Sequence, residues 1–155
     1  MNLVLQRAVE EDAQSIINAR DKSFYDDYVR FGECPGYHHT PEEMKDTIRQ
    51  ADVYLILVGA KMVGDVSVHQ PSEDGSQWIG CLEIVPEYQN SGIGSKVLRT
   101  IFNLYPETQK WELETPVQNK RNCHFYEKAG FCGTGETIHS ELLTLRTYTY
   151  EKAKE

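Results

Sequence analysis

The sequence predicts one mixed α/β domain over residues 1–155, and three observations support this fold class. The length of 155 residues is close to that of one average domain. Hydrophobic residues make up 39% of the chain and charged residues 26%, a balance typical of folded rather than disordered proteins. Helical and strand-like hydrophobic periods alternate along the chain, with short turns between them and no internal repeat or linker.

Four segments carry the apolar spacing or the capping signals of helices. The predicted helices cover residues 10–24, 41–51, 92–105 and 119–129. The second has the clearest start signal, since Thr40 is a good N-cap, Pro41 suits the first helical position and Glu43 completes a capping box. Between the first two helices, residues 28–39 contain glycine, proline and several aromatic residues, so we predict a loop there.

Seven segments are rich in β-branched and aromatic residues and are bounded by turn signals. The predicted strands cover residues 3–8, 53–58, 62–69, 77–85, 110–115, 131–137 and 142–150. Three of them follow one another directly between residues 53 and 85, which predicts antiparallel pairing in that region. The last two are predicted to pair as a hairpin, or alternatively to pair across a homodimer.

The charge of the chain excludes some classes of partner. Asp and Glu number 24 against 16 Lys and Arg, giving a net charge of −8. This argues against nucleic acid as a partner, because such binding depends on neutralising phosphates. No segment approaches the ~20 apolar residues of a membrane span, and the N-terminus lacks a signal pattern. The four cysteines lack metal-site spacing. We therefore expect a cytoplasmic protein with reduced cysteines, no metal and no membrane partner.

The densest chemical signal is the glycine-containing segment 84–96, between a predicted strand and a predicted helix. Free backbone N–H groups and the positive end of the helix dipole converge there, which suits a phosphate or pyrophosphate, although a helix start without a ligand is equally compatible with an isolated Gly-x-Gly. A Walker loop is excluded because Ser95 separates Gly94 from Lys96. A dinucleotide fingerprint is excluded because Val97 occupies the third glycine position and several strands precede the loop.

Two motifs resemble those of a known family. The loop Gln89-x-x-Gly92-x-Gly94 resembles the acetyl-CoA loop of the GNAT superfamily of N-acetyltransferases. A second stretch, Asn119-Lys-Arg-Asn122-Cys-His-Phe-Tyr126-Glu-Lys-Ala-Gly130-Phe131, resembles the family's Asn-x-x-Ala-x-x-x-Tyr-x-x-x-Gly-Phe motif. The order of elements matches across nearly the whole chain. The departures are Asn122, where alanine is usual, and Gln89, where arginine is common.

The resemblance implies the GNAT fold with acetyl-CoA, or coenzyme A, as the co-substrate. This fold has a mixed, mostly antiparallel sheet of about seven strands, helices on both faces, and a splay between strands 77–85 and 110–115 that holds the pantetheine arm. Free N–H groups of Ile84 and Val85 would bond the arm and the acetyl carbonyl, and those of residues 89–95 would hold the pyrophosphate. The implied cofactor-binding residues are Ile84, Val85, Gln89, Asn90, Ser91, Gly92, Ile93, Gly94, Ser95, Lys96, Asn119 and Tyr126.

The implied reaction is acetyl transfer to a primary amine of a small molecule or peptide by direct nucleophilic attack. Tyr126 is the implied general acid, because a phenol of pKa about 10 can donate to the departing thiolate. Glu83 is our first candidate for a base and Glu114 the second; a neutral amine would need neither, and each carboxylate has solvent exposure as its plainer interpretation. Asn119 would serve equally as a helix N-cap.

The acceptor pocket and the alternative functions depend on weaker signals. Residues 24–28 and 37–39 contain aromatics and two aspartates, which suit a cationic or aromatic amine. Lys96 and Arg99 would add cationic contacts to the cofactor. The alternatives are a non-catalytic acyl-CoA-binding sensor of the same fold and a partner-binding domain without a ligand.

Overall fold

The computed structural model describes residues 2–152 and contains all the predicted helices and strands. The strands are β1 (Leu3–Arg7), β2 (Asp52–Val58), β3 (Lys61–Val68), β4 (Gln77–Ile84), β5 (Lys110–Pro116), β6 (Cys132–Ile138) and β7 (Thr144–Glu151). The helices are α1 (Ala13–Phe31), α2 (Pro41–Gln50), α3 (Ile93–Leu104) and α4 (Lys120–Lys128). Short 3-10 turns cover Glu10–Asp12 and Pro86–Tyr88.

The seven strands form one sheet in the order β1-β2-β3-β4-β5-β7-β6. All neighbours are antiparallel except β4 and β5, which are parallel and pair only at Gln77 with Trp111 and at Trp78 with Glu112. Gly80 is left unpaired between Ile79 and Cys81, and such a bulge bends a strand. The predicted mixed, mostly antiparallel sheet and its splay are confirmed.

The sheet ends in the hairpin of the last two strands. β6 pairs with β7, and β7 pairs with β5, so the C-terminal strands pair within the chain. β6 forms one edge of the sheet, and all seven of its residues are exposed. A homodimer through these strands stays a prediction.

Helix α1 is longer than predicted. It continues to Phe31, because no glycine or proline interrupts it before Gly32. Gly32 ends the helix with a φ of 80°, a left-handed conformation that glycine adopts easily, and its N–H donates to the Tyr28 carbonyl. The prediction that the helix ends at residue 24 and that a loop begins at residue 28 is therefore wrong. Residues 24–28 lie on a helix, so their side chains have fixed directions.

Helices cover both faces of the sheet, as predicted. Alternation along β2 directs Val53 and Leu55 to one face, where they pack in a core with Met44 of α2. Ile56 lies in the other core, with Ile101 of α3. Most buried residues of α1 and those of α2 lie in the first core, and the buried residues of α3 lie in the second, which Ala19 of α1 also joins.

Three further observations on the described residues concern membrane spans, metal-binding groups and the cysteines. Within residues 2–152, no helix is both long enough and apolar enough to span a bilayer. The same part of the chain contains no group of three or more His, Cys, Asp or Glu side chains arranged to hold a metal ion. All four cysteines are free thiols.

Candidate active site

A groove of 610 Å³ opens where β4 and β5 diverge. Its walls come from α1, β4, α3, α4 and the segment of residues 89–94 that leads from β4 into α3, which we call the glycine loop. Nine of the predicted site residues line it: Glu83, Ile84, Gln89, Asn90, Gly92, Gly94, Ser95, Asn119 and Tyr126. Four others, Val85, Ser91, Ile93 and Lys96, do not contribute to its lining. The fold therefore brings the two sequence motifs together around one groove.

The glycine loop presents unused backbone donors at the start of α3. Within residues 2–152, none of the backbone N–H groups of residues 90–95 donates a hydrogen bond. The flanking N–H groups are already used. The Gln89 N–H donates to the Pro86 carbonyl at an N–O distance of 3.2 Å, and the Lys96 N–H donates to the Gly92 carbonyl at 3.3 Å. The prediction of a free amide at Gln89 is therefore wrong. The six remaining donors and the helix dipole suit a pyrophosphate.

The loop and the second motif are in direct contact. A Cβ added to Gly94 would lie 2.9 Å from a ring carbon of Phe125 on α4, closer than real Cβ atoms approach. Gly94 therefore allows the Phe125 ring to pack directly against the start of α3, and a larger residue would require that ring to shift. Gly92 has a different role, since its φ of 82° is left-handed and its surroundings are open.

The edge of β4 provides one of the two predicted amides. The Val85 N–H donates to the Val63 carbonyl of β3 at an N–O distance of 2.8 Å, so the prediction of a free amide at Val85 is wrong. Because successive N–H groups point to opposite edges of a strand, the Ile84 N–H points toward the splay. The Ile84 carbonyl on the same side accepts a hydrogen bond from the Gln89 side chain at 2.8 Å.

Basic side chains line the groove although the chain as a whole is acidic. Arg99 projects from α3, and Arg121, His124 and Lys128 project from α4. Arg121 also donates to the Gln89 side chain. The three α4 residues were missed at the sequence level, although their i, i+3, i+7 spacing places them on one helix face and provides a signal. Of the two basic residues that the sequence predicts at the cofactor, Arg99 lines the groove and Lys96 does not.

Tyr126 lies on α4 with its ring buried and its side chain against the groove. The rings of Phe125 and Phe131 pack on it, with centroids 5.1 Å and 5.7 Å away. Burial raises the pKa of the Tyr126 phenol, so the phenol keeps its proton at neutral pH. Its hydroxyl has no hydrogen-bond partner among the described residues, which leaves it available as a donor.

Glu83 faces α1, and only 3% of its surface is exposed. One carboxylate oxygen lies 2.7 Å from the Ser23 hydroxyl, which donates to it, and the other accepts the Asp65 backbone N–H at 2.6 Å. Burial and the negative charge of Asp65 raise the pKa of Glu83 well above its usual value. Arg20 compensates Asp65 through a buried ion pair of 2.8 Å. Glu114, the second candidate, is exposed and does not line the groove.

Asn119 links α1 to α4. Its side-chain oxygen accepts the Asn122 N–H at 3.0 Å, so its role as the N-cap of α4 is confirmed. Its amide group donates to an Asp27 carboxylate oxygen at 2.8 Å. Partial burial raises the pKa of Asp27. A contact between Asn119 and the cofactor stays a prediction.

The predicted acceptor segment divides into two parts. Phe24 and Asp27 line the groove together with Ser23. Tyr25 and Tyr28 lie outside it and remain exposed, and the Tyr28 ring stacks on Tyr37 with centroids 4.8 Å apart. Only the groove-facing side of α1 therefore belongs to the site.

The relation of this chain to known proteins agrees with the fold and the groove. Residues 4–131 match the family model described as Acetyltransferase (GNAT) family. The uncharacterized protein YrkN of Bacillus subtilis (strain 168) is 31% identical over 134 residues, covering 83% of this chain and 72% of that protein. N-alpha-acetyltransferase 30 of Schizosaccharomyces pombe is 31% identical over 84 residues, covering 51% of this chain and 56% of that protein.

Solved structures show the same fold at low sequence identity. An acetyltransferase from Thermus thermophilus superposes with a TM-score of 0.79 at 16% identity, covering 98% of both chains. The aminoglycoside acetyltransferase AAC(6')-Ib in complex with coenzyme A gives a TM-score of 0.75 at 17% identity, covering 97% of this chain and 95% of that chain. Together with the family model, which spans most of the sequence, these matches show that the chain belongs to the GNAT family of acetyltransferases.

Proposed function

We propose that this chain is an acetyl-CoA-dependent N-acetyltransferase that acts on a primary amine of a small molecule or peptide by direct transfer. The observation that carries the proposal is the single groove at which the free loop amides, the open edge of β4 and the Tyr126 side chain meet. Family membership supports the activity and leaves the acceptor open.

The donor set of the groove fits the cofactor. The free N–H groups of residues 90–95 would hold the pyrophosphate, and Arg99, Arg121 and Lys128 would add charge to the same wall. The Ile84 N–H, at the open edge of β4, would bond the acetyl carbonyl and stabilise the negative charge that develops on its oxygen. When bound, acetyl-CoA supplies the activated thioester.

The groove also provides groups for both proton transfers. In the reaction a bond forms between the amine nitrogen and the acetyl carbon, and the bond from that carbon to sulfur breaks. Glu83 would accept the proton that the amine loses, because the raised pKa of the Glu83 carboxyl makes its carboxylate a stronger base. Tyr126 would donate its proton to the departing sulfur, because burial keeps the phenol protonated.

The direct test measures release of CoA over a panel of amines and N-terminal peptides with the chain and with Tyr126→Phe. Removing a general acid is expected to lower kcat by about 100-fold or more. Tyr148→Phe is the matched control: this tyrosine is also buried, with its ring centroid 6.2 Å from that of Tyr126, but its hydroxyl donates to Glu127.

Two results would contradict the proposal in different ways. Full activity of Tyr126→Phe would reject the role of the phenol and leave the activity itself standing. Tight CoA binding in calorimetry with no turnover of any amine would instead favour the non-catalytic sensor.

A further inference from the structure

Asp27 is a groove-lining carboxylate that no cationic residue pairs with in the described part of the chain. Its hydrogen-bond partner is the neutral amide of Asn119, at 2.8 Å. Arg30 and Arg121 affect its pKa from beyond ion-pair distance, and no salt bridge joins either to it within residues 2–152. Asp65, whose backbone N–H donates to the groove residue Glu83, is instead paired with Arg20. A half-buried charge without a counterion gains strongly from a cation that a ligand would bring.

The direction of the Asp27 side chain is fixed from both sides. Its backbone belongs to α1, and one carboxylate oxygen is held by Asn119, which is itself fixed by capping α4. The carboxylate is therefore preorganised, so binding a cation would not require it to be ordered first.

The spacing along α1 separates Asp27 from the proposed site of proton removal. Ser23, which contacts Glu83, lies four residues before Asp27 and thus one turn away on the same helix face, a rise of about 6 Å. Phe24 lines the groove between them. An amine that reacts must lose its proton, so the groove would accommodate that amine near Glu83. A second group that stays protonated would suit Asp27.

We propose that Asp27 is a specificity-determining residue that binds a second cationic group of the acceptor, so that diamines are preferred over amines with one charge. The inference rests on the proposed function and adds an acceptor class to it. The diamine that fits best has its two nitrogens about one helical turn apart, the spacing of Ser23 and Asp27 along α1.

The test compares 1,4-diaminobutane with 4-amino-1-butanol, which has the same chain length and a neutral end. The KM for the diamine is expected to be at least about tenfold lower than that for the amino alcohol. Asp27→Asn keeps an oxygen that can accept from Asn119, and it should raise the KM for the diamine about tenfold more than the KM for the amino alcohol. Asp26→Asn, which removes an equal charge from an exposed neighbour, should leave the preference intact.

The outcomes separate this inference from the function on which it rests. Equal KM values for the two acceptors, or a diamine preference that survives in Asp27→Asn, would overturn the role of Asp27 while acetyl transfer stands. Calorimetry tests the opposite case, in which the groove binds the diamine but does not acetylate it. Diamine binding that Asp27→Asn weakens, without turnover, would support the cation site and contradict the proposed reaction.

Discussion

The proposed cofactor half and the proposed acceptor half of the groove differ in the groups that form them. In the proposed cofactor half, the main donors are backbone N–H groups from one continuous segment, residues 90–95, and the adjacent edge of β4. The basic side chains of Arg99, Arg121 and Lys128 lie on the same wall. The acceptor half consists of side chains that are distant in sequence: Ser23 contacts Glu83 across 60 residues, and Asp27 contacts Asn119 across 92. One half depends on local backbone geometry and the other on tertiary packing.

This difference would explain how an acidic chain holds the proposed phosphate ligand. Backbone donors and a helix dipole are present whatever the net charge, so a charge of −8 does not oppose a pyrophosphate at the loop. The acceptor half contains the carboxylates Glu83 and Asp27, whose chemistry would select the acceptor. Substitutions should therefore have separate effects in the two halves.

Among the variants that separate the two halves, Glu83→Gln in the acceptor half is expected to have the largest effect. The amide can keep both contacts, accepting from the Asp65 N–H and donating to Ser23, so the fold should survive. Loss of the base should lower kcat/KM by about 100-fold, equal to about 2.7 kcal/mol of transition-state stabilisation, with little change in CoA affinity. Steady-state kinetics and calorimetry measure the two quantities, and a loss of CoA affinity as large as the loss of rate would break the proposed division.

The same variant has a predicted pH signature. The pKa of Glu83 is raised in the folded state, so its contribution to stability is complete below the unfolded value, about 4.3, and is lost as pH rises through the folded value. Relative to the parent chain, Glu83→Gln should therefore become more stable as pH increases through this window, as urea unfolding would measure. The decline of kcat/KM on the acidic side should also disappear in the variant. A pH-independent stability difference would show that the carboxyl does not titrate there.

The second effect is expected from Gly92→Ala in the cofactor half. The left-handed φ of 82° would cost an alanine about 1 kcal/mol, and a methyl group beside the free amides would hinder the phosphates, weakening CoA binding about tenfold. Gly75→Ala is the matched control, because Gly75 has a φ of 83° and equally open surroundings but lies in the turn after β3, away from the groove. Both variants should lose similar stability in urea, and only Gly92→Ala should lose CoA affinity. Equal CoA affinity in the two would contradict the assignment of the loop.

The sequence could predict most of the cofactor half because its signals are local. Glycine spacing, the strand before it and the helix after it all lie within residues 84–96, and the structure confirms those elements. The amide at Val85 was predicted wrongly because its use depends on pairing with Val63, more than twenty residues earlier. Local sequence does not specify which edge of a strand meets its neighbour.

The acceptor half was predicted only in part because it forms through long-range contacts. Nothing near Ser23 or Arg20 indicates that they meet Glu83 and Asp65, since the two helix residues join the two strand residues only after α1 packs on the sheet. One signal was available, because Asp65 is a charged residue between apolar residues in the middle of β3, and buried charges require partners. The predicted first helix is shorter than α1 because the aromatic residues near its C-terminal end favour a loop by composition, whereas only Gly32 ends the helix.

The smallest effect is expected at Asn119, which joins the two halves. Asn119→Ala removes the cap of α4 and the bond to Asp27, and should lower the free energy of unfolding by about 1–2 kcal/mol. Thr40→Ala removes the N-cap bond of α2, far from the groove, and should cost about 1 kcal/mol. Because Asn119 also orients Asp27, only the Asn119 variant should raise the KM for a diamine, by a few-fold and less than Asp27→Asn does. Urea unfolding and acceptor kinetics on both variants measure this. If the Asn119 variant keeps the parent KM, Asp27 holds its direction through α1 alone and the two halves of the groove are independent.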